Sequence, residues 1–426
     1  MISEVEDNIR AKPGNPKLAD QEPANLRARR LAYFLLLVGM FSTGMGQTII
    51  YVVLPPIARE IGLLDFQVGV VFMGSAFFWV LMGSYWGRLS DIYGRRRFIL
   101  LGIIALSVST LLLTTFLALS RAGVVSALLG FILIVGARCI YGAFGSAQPP
   151  ASYAYVADRT SKEERAKGLA TIGAAYGMGA MFGPALAGMM SGFDPLTPLY
   201  TVSALGAVTF FILYFFLTET SRPKDKQIPD KVSLLDPRVK YILLYAFISG
   251  IITLMPNQVI AFYFIDVFNL SDADALTKVS IALTAASFAM LFSQLVLVGR
   301  LGLSPRTLMR IGPPLLVLAY LPIALGASFP LIVTGLFLSG LGWGMMGPGI
   351  AAAVSLAVSE DEQGAVSGLV NAAIGSGLII APPIGFALYA IGPYVPFYFL
   401  TVLSCGLAIV TLWALKSGLA KTRAEL

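Results

Sequence analysis

The sequence predicts an all-α integral membrane protein: twelve transmembrane helices in two pseudo-symmetric six-helix halves. Three observations predict it. Twelve apolar stretches, each close to the ~20 residues a bilayer crossing needs, run along the 426 residues. Lys and Arg collect in alternate connections between those stretches. Residues of one half recur at a fixed offset in the other.

The first polar segment, 1–30, contains Pro13, Pro16 and Pro23 and no apolar core followed by a cleavage site, so it reads as a cytoplasmic tail. The spans then follow at 31–57, 67–88, 98–119, 124–157, 167–190 and 198–218. A polar linker at 219–238, with Pro223, Lys224, Lys226, Pro229 and Lys231, separates them from 239–265, 277–299, 308–327, 330–358, 365–390 and 395–416. A short tail, 417–426, closes the chain. The halves are thus 31–218 and 239–416. Pro184, Pro256 and Pro382 fall inside spans, where neighbouring helices can satisfy the carbonyl each one frees.

Charge sets the expected orientation. Of the 30 Lys and Arg residues, 26 lie on one side together with both termini, three (Arg59, Arg121, Lys278) lie on the other, and Arg138 lies within a span. By the positive-inside rule both termini are cytoplasmic, in a multi-pass protein of the inner (plasma) membrane. The repeat agrees: at an offset of 198, Gly142 meets Gly340, Pro150 meets Pro348, Gly179 meets Gly377 and Pro184 meets Pro382.

Composition excludes several function classes. Hydrophobic residues make up 57%, charged residues 12%, and the mean hydropathy is +0.80. Soluble domains carry about 25% charged residues. The net charge of +7 is spread over short loops between apolar spans, which fits anionic lipid headgroups as partners and not nucleic acid. There is no histidine, and Cys139 and Cys405 both fall in spans. Histidine-based metal sites and Ser–His or Cys–His catalysis are excluded, and no metal or cofactor site is expected.

Residues 87–97 read Gly-Arg-Leu-Ser-Asp-Ile-Tyr-Gly-Arg-Arg-Arg between spans 2 and 3. Gly87, Asp91, Gly94, Arg95 and Arg96 have the form of the signature loop of the major facilitator superfamily. Two further segments resemble its twelve-helix drug/proton antiporter branch. Span 4 carries Arg138, then Gly142 and Ala147; span 5 carries Gly177, Gly179, Gly183, Pro184 and Gly188, similar to the antiporter motif of that branch. Ala154 to Thr160, with Asp158, resembles the helix 4–5 loop of the tetracycline-exporter group. The resemblance implies a monomeric secondary transporter with its substrate site between the halves, exporting a small amphipathic molecule by alternating access, with protons as the coupling ion. The alternatives are an exporter or importer of an anionic metabolite or siderophore, a uniporter, and a membrane sensor that no longer transports. An enzyme is not expected, since no nucleophile–base pair is present.

Each motif has a physical role to play. Asp91 at a helix end can meet a positive helix N-terminus, such as that near Ala365. Arg95 can pair with Asp158. Contacts that form in one state and break in the other make Gly87, Asp91, Gly94, Arg95, Arg96 and Asp158 a conformational latch. The acidic loop 359–363 either faces the basic loop 95–97 or is a solvated turn. Arg138, at membrane depth, costs at least about 2.5 kcal/mol and should face the interior, in a coupling or substrate role. No Asp or Glu lies at mid-depth in any span, so proton antiport lacks its usual carboxylate. The substrate pocket candidates are Gln47, Tyr51, Tyr141, Gln148, Asn257, Gln258, Gln294, Trp343 and Asn371. A lone Arg among amides and aromatics favours a neutral, zwitterionic or anionic amphiphile over a dication.

Overall fold

The fold is taken from a computed structural model, which describes residues 21–160, 162–219, 233–326, 328–359 and 362–416. Twelve helices among these are long and apolar enough to cross a membrane. The first half contains α1 (Arg30–Glu60), α2 (Asp65–Tyr93), α3 (Arg95–Arg121), α4 (Ala127–Arg159), α5 (Gly168–Met189) and α6 (Thr197–Phe216). The second contains α7 (Lys240–Phe268), α8 (Asp274–Val298), α9 (Pro305–Ala324), α10 (Phe329–Ala357), α11 (Ala365–Ile391) and α12 (Val395–Leu412). The α2–α3 connection marks what is called here the basic end of the bundle; the α1–α2 connection marks the opposite end.

Helix ends shift by a few residues along the chain, and two of the shifts bear on the ends of the bundle. The first helix begins at Gln21, inside the expected tail. A proline in the first turn of a helix removes no hydrogen bond, so Pro23 does not delay that start. Helix α2 runs on to Tyr93, because a helix does not end where its apolar face meets the interface. The rest of the first tail, the final tail and the linker from 220 to 232 lie outside the described residues.

The turns follow from local chemistry. Ser271 and Ser304 each cap a helix by accepting a backbone N–H three residues on, from Asp274 and Thr307. Asn269 ends α7 in the left-handed conformation at φ 49°. Gly94 alone joins α2 to α3, at φ 96°. A Cβ there would be strained, and it would also stand 2.6 Å from the Glu219 carboxylate.

The halves repeat in packing as well as in sequence. Helix α1 packs on α5 as α7 packs on α11; α2 packs on α4 as α8 packs on α10; α3 packs on α6 as α9 packs on α12. The repeated glycines lie in those seams. Gly179 faces the Phe41 carbonyl of α1 and Gly377 faces the Phe247 carbonyl of α7, each so close that a Cβ would overlap the oxygen. This is the close approach that small residues allow in membrane bundles. The halves meet through α2 against α11 and α5 against α8, an exchange-symmetric pair of seams.

The apolar core shows where the halves are joined. One buried cluster takes in both halves, with Ile49 and Val53 of α1 beside Val259 and Phe262 of α7 and Phe386 of α11. A second cluster belongs to the first half alone, with Leu36, Ile99, Ala151 and Ile172. Large apolar side chains such as Phe34, Phe215, Leu318 and Val402 are exposed on the outside of the bundle, which suits hydrocarbon and not water.

Candidate functional site

At the middle of the first half, α4 carries Arg138, only 3% exposed. Its guanidinium lies 4.7 Å from the centre of the Tyr141 ring, a cation–π contact. Tyr141 in turn packs on Trp79 of α2, with ring centres 5.4 Å apart. Tyr51 of α1 lies within electrostatic range of Arg138 and within hydrogen-bonding reach of Gln47. Among the described residues Arg138 forms no ion pair, and Arg138 Nε, Tyr141 Oη and Gln47 Oε1 have no hydrogen-bond partner. Helix α4 is irregular here, with a π-helical segment over Tyr141–Gly145. Such widened turns recur at functional sites.

At the basic end, Arg95 is 1% exposed and lies between two carboxylates. It pairs with Asp91 one turn back on α2, its Nε lies 3.1 Å from Asp158 Oδ2 of α4, and its Nη1 donates to Ser90 Oγ at 2.7 Å. The Arg95–Asp158 pairing is the one the sequence suggests. A third carboxylate, Glu219, was not among the candidates. Its Oε1 accepts the backbone N–H groups of Arg95 (2.9 Å) and Arg96 (3.2 Å), capping the N-terminus of α3. Arg96 lies over the Tyr214 ring, and Arg159 holds the Glu219 carbonyl at 2.9 Å. Pro150 of α4 stands 3.6 Å from where a Cβ on Gly87 would lie. All these groups belong to α2, α3, α4, the end of α6 and Glu219 just after it, and none to the second half. The acidic loop goes elsewhere: Glu362 pairs with Arg238 before α7, at 2.8 Å. Residues 360 and 361 lie outside the described residues.

Among the described residues, ion pairs join the two halves at the opposite end. Arg59 at the end of α1 binds Asp65 of α2 through Nε (2.8 Å) and Nη2 (2.6 Å). The same guanidinium binds Asp266 of α7 through Nη1 (2.5 Å) and Nη2 (2.9 Å). Tyr389 of α11 donates to Asp266 Oδ2 at 2.6 Å, and Arg59 lies 4.7 Å above the Phe262 ring. Two carboxylates, each held bidentately by one Arg, make a directional clasp. The sequence shows Arg59 as one of three cations on that side and keeps Asp and Glu away from mid-depth. It could not pair Arg59 with Asp266 across 207 positions.

The sequence matches the family described as Major Facilitator Superfamily over residues 36–324 and 275–425. This chain belongs to the major facilitator superfamily. Among its relatives, the tetracycline resistance protein, class B, of Escherichia coli is 32% identical over 184 residues, covering 42% of this chain and 43% of that protein. Multidrug resistance protein 2 of Bacillus subtilis (strain 168) is 23% identical over 406 residues, covering 91% and 96%. Among solved structures, a bacterial homolog of the human lysosomal transporter Spinster, inward-facing and unoccupied, superposes with a TM-score of 0.70 at 16% identity, covering 93% of this chain and 98% of that one. The human organic anion transporter MFSD10 superposes with a TM-score of 0.66 at 20% identity, covering 91% and 99%. As a member of the superfamily the chain is a multi-pass secondary transporter of a small molecule, and not an enzyme.

In this superfamily member the glycine stripe of α5 serves two seams. Gly179 and Gly183 admit α1, while a Cβ on Gly188 would crowd Ser280 of α8 in the other half. Pro184 has no N–H for the Ala180 carbonyl, and Thr48 of α1 donates to that carbonyl instead, at 2.9 Å. The pocket candidates divide. Tyr51 and Tyr141 gather around Arg138, with Gln47 in hydrogen-bonding reach of Tyr51. Gln148 is 1% exposed and wedged between Thr43 of α1 and Gly102 of α3, in the packing of the half. Asn257 donates to the Thr253 carbonyl one turn back, at 2.9 Å. Gln258 is buried in α7, and neither polar atom of its side chain has a partner. Gln294 lies in the π-helical segment Ser293–Val298 of α8, and Trp343 packs against the shared core. Asn371 is exposed on α11.

Proposed function

We propose that this transporter exports small amphipathic molecules across the inner (plasma) membrane by alternating access, with both termini cytoplasmic and the halves 31–218 and 239–416 rocking as units about the linker 219–238. The observation that carries this reading is the unequal pair of ends. The Arg59 clasp ties the halves together at the opposite end, while at the basic end the Arg95 ion pairs among the described residues lie within one half. A clasp that forms on one side at a time is what a rocking transporter needs. The charge bias of the loops supports the orientation, so the closed end faces outward and the site around Arg138 is served from the cytoplasm. The printed names of the relatives, tetracycline and multidrug resistance proteins, support export. The start of α11 is the helix N-terminus proposed as the partner of Asp91 when the basic end is closed.

Proton entry is the coupling that the superfamily branch implies. Within the protein it would run on Asp91 or Asp158 with Arg138, since among the described residues the spans carry acids only near their ends. The protein acts as a monomer in this reading. Everted membrane vesicles test it. They should accumulate fluorescent amphiphiles when energised, and accumulation in right-side-out vesicles alone would make the protein an importer.

A further inference from the structure

Arg138 is a buried cation for which the described residues provide no anion. The acids of the described spans are Glu60, Asp65, Asp91, Asp158, Asp266 and Asp274, all near helix ends and most of them engaged there by Arg59, Arg95 or Arg121. The Tyr141 ring covers one face of the guanidinium, and Tyr141 is braced by Trp79. A cation–π contact recovers only part of what a buried charge loses on leaving water. Unused polar groups lie at the site: Arg138 Nε itself, Tyr141 Oη next to it, and Oε1 of Gln47, the neighbour of Tyr51. The π-helical segment over Tyr141–Gly145, followed by a turn at Ser146–Ala147, distorts α4 directly after Arg138.

We infer that the transported molecule is an anion, an amphipathic body bearing a carboxylate or a similarly compact acid, and that its acid group binds Arg138. The inference deepens the transport reading and rests on it. The planar fork of a guanidinium matches a carboxylate bidentately, and Arg138 offers that fork with a ring already stacked on it. Tyr141 Oη donates a further hydrogen bond to the acid, and Tyr51 and Trp79 flank its apolar body. A cationic amphiphile would place a second positive charge beside an unpaired one, with no carboxylate at this depth to offset it. Neutral analogues keep the apolar contacts and leave Arg138 as it stands. The absent acid and the lone Arg are therefore two parts of one specificity.

The test uses the full-length protein purified in detergent micelles. A series of naphthyl-alkanoic acids is titrated beside their methyl esters and the matching primary amines, following tryptophan emission and the melting midpoint. The acids should bind at least about tenfold more tightly than the esters, with the amines weakest. Arg138→Gln should remove the preference for acids, and Arg138→Lys should weaken it. Trp79→Phe should remove most of the emission change while the midpoint shift persists. Esters or amines that bind as tightly as the acids would overturn the inference. So would failure of every acid in the series, or a preference that survives in Arg138→Gln. If that variant does not fold, the wild-type ranking of acid, ester and amine decides. Binding in micelles has no direction, so these results stand apart from the vesicle experiment that tests export.

Discussion

Two arginines, Arg95 and Arg138, are buried to nearly the same degree and differ in everything else. Arg95 has Asp91, Asp158 and Ser90 around it, so removing it leaves a partly buried carboxylate without its cation. Breaking a buried pair in this way costs about 3–5 kcal/mol, and Arg95→Ala should lower the melting temperature in detergent sharply. Asp91 is 39% exposed, so its loss should cost little stability. Asp91→Asn should leave yield and melting temperature near wild type and slow transport in vesicles; equal loss of both would make the loop a fixed anchor. The Arg95–Asp158 pair was legible because both residues sit in recognisable motifs. Glu219 was not: it lies 124 positions from the N–H it caps, at the edge of a stretch that composition marks as linker. Nor does the type of residue show that Gln148 is wedged into helix packing while Gln47 stands beside Tyr51.

At the scale of helices, hydropathy located all twelve spans, because every span must be apolar to cross lipid. It was silent on the π-helical segments of α4 and α8, since one residue more per turn leaves composition unchanged. The offset of 198 was legible and has a clear cause in packing: Gly179 and Gly377 occupy equivalent close approaches. Gly179→Ala and Gly377→Ala should each destabilise by about 1–3 kcal/mol through overpacking, read as a lower melting temperature and a smaller monodisperse yield. Gly83→Ala, where a Cβ meets nothing within 4 Å, should be neutral or slightly stabilising. The connections add a test of pH. Arg238 and the Ser359 N–H and hydroxyl hold the Glu362 carboxyl down at about 2, below its ordinary 4.5. A depressed carboxyl contributes its stabilisation above its ordinary value and loses it only as the pH falls through about 2. The Arg238–Glu362 contact should therefore not titrate between pH 5 and 8. Arg238→Ala should leave the shape of the pH profile of transport unchanged over that range, as flux measurements at fixed substrate would show.

Over the whole molecule, the Arg59 clasp biases which end is closed. Its partners are 27% and 36% exposed, so it contributes about 1 kcal/mol, enough to shift a two-state balance about fivefold. Phe66 of α2 and Ala390 of α11 line the same cavity of about 470 Å³ beside it. In a background of Cys139→Ser and Cys405→Ser, Phe66→Cys and Ala390→Cys should be joined by a short bifunctional thiol reagent. Arg59→Gln should lower that yield by about half or more, and an unchanged yield would show that apolar packing alone closes the end. Arg138 has a consequence at this scale too. On the proposed reading the site is neutral when loaded and carries a positive charge when empty. The membrane potential then does its electrical work on the empty return, drawing the vacant site toward a negative cell interior at about 2.3 kcal/mol per charge per 100 mV. Voltage would reset the carrier instead of pushing its cargo, and the resting potential would add its drive to a cycle that contains no mid-membrane acid.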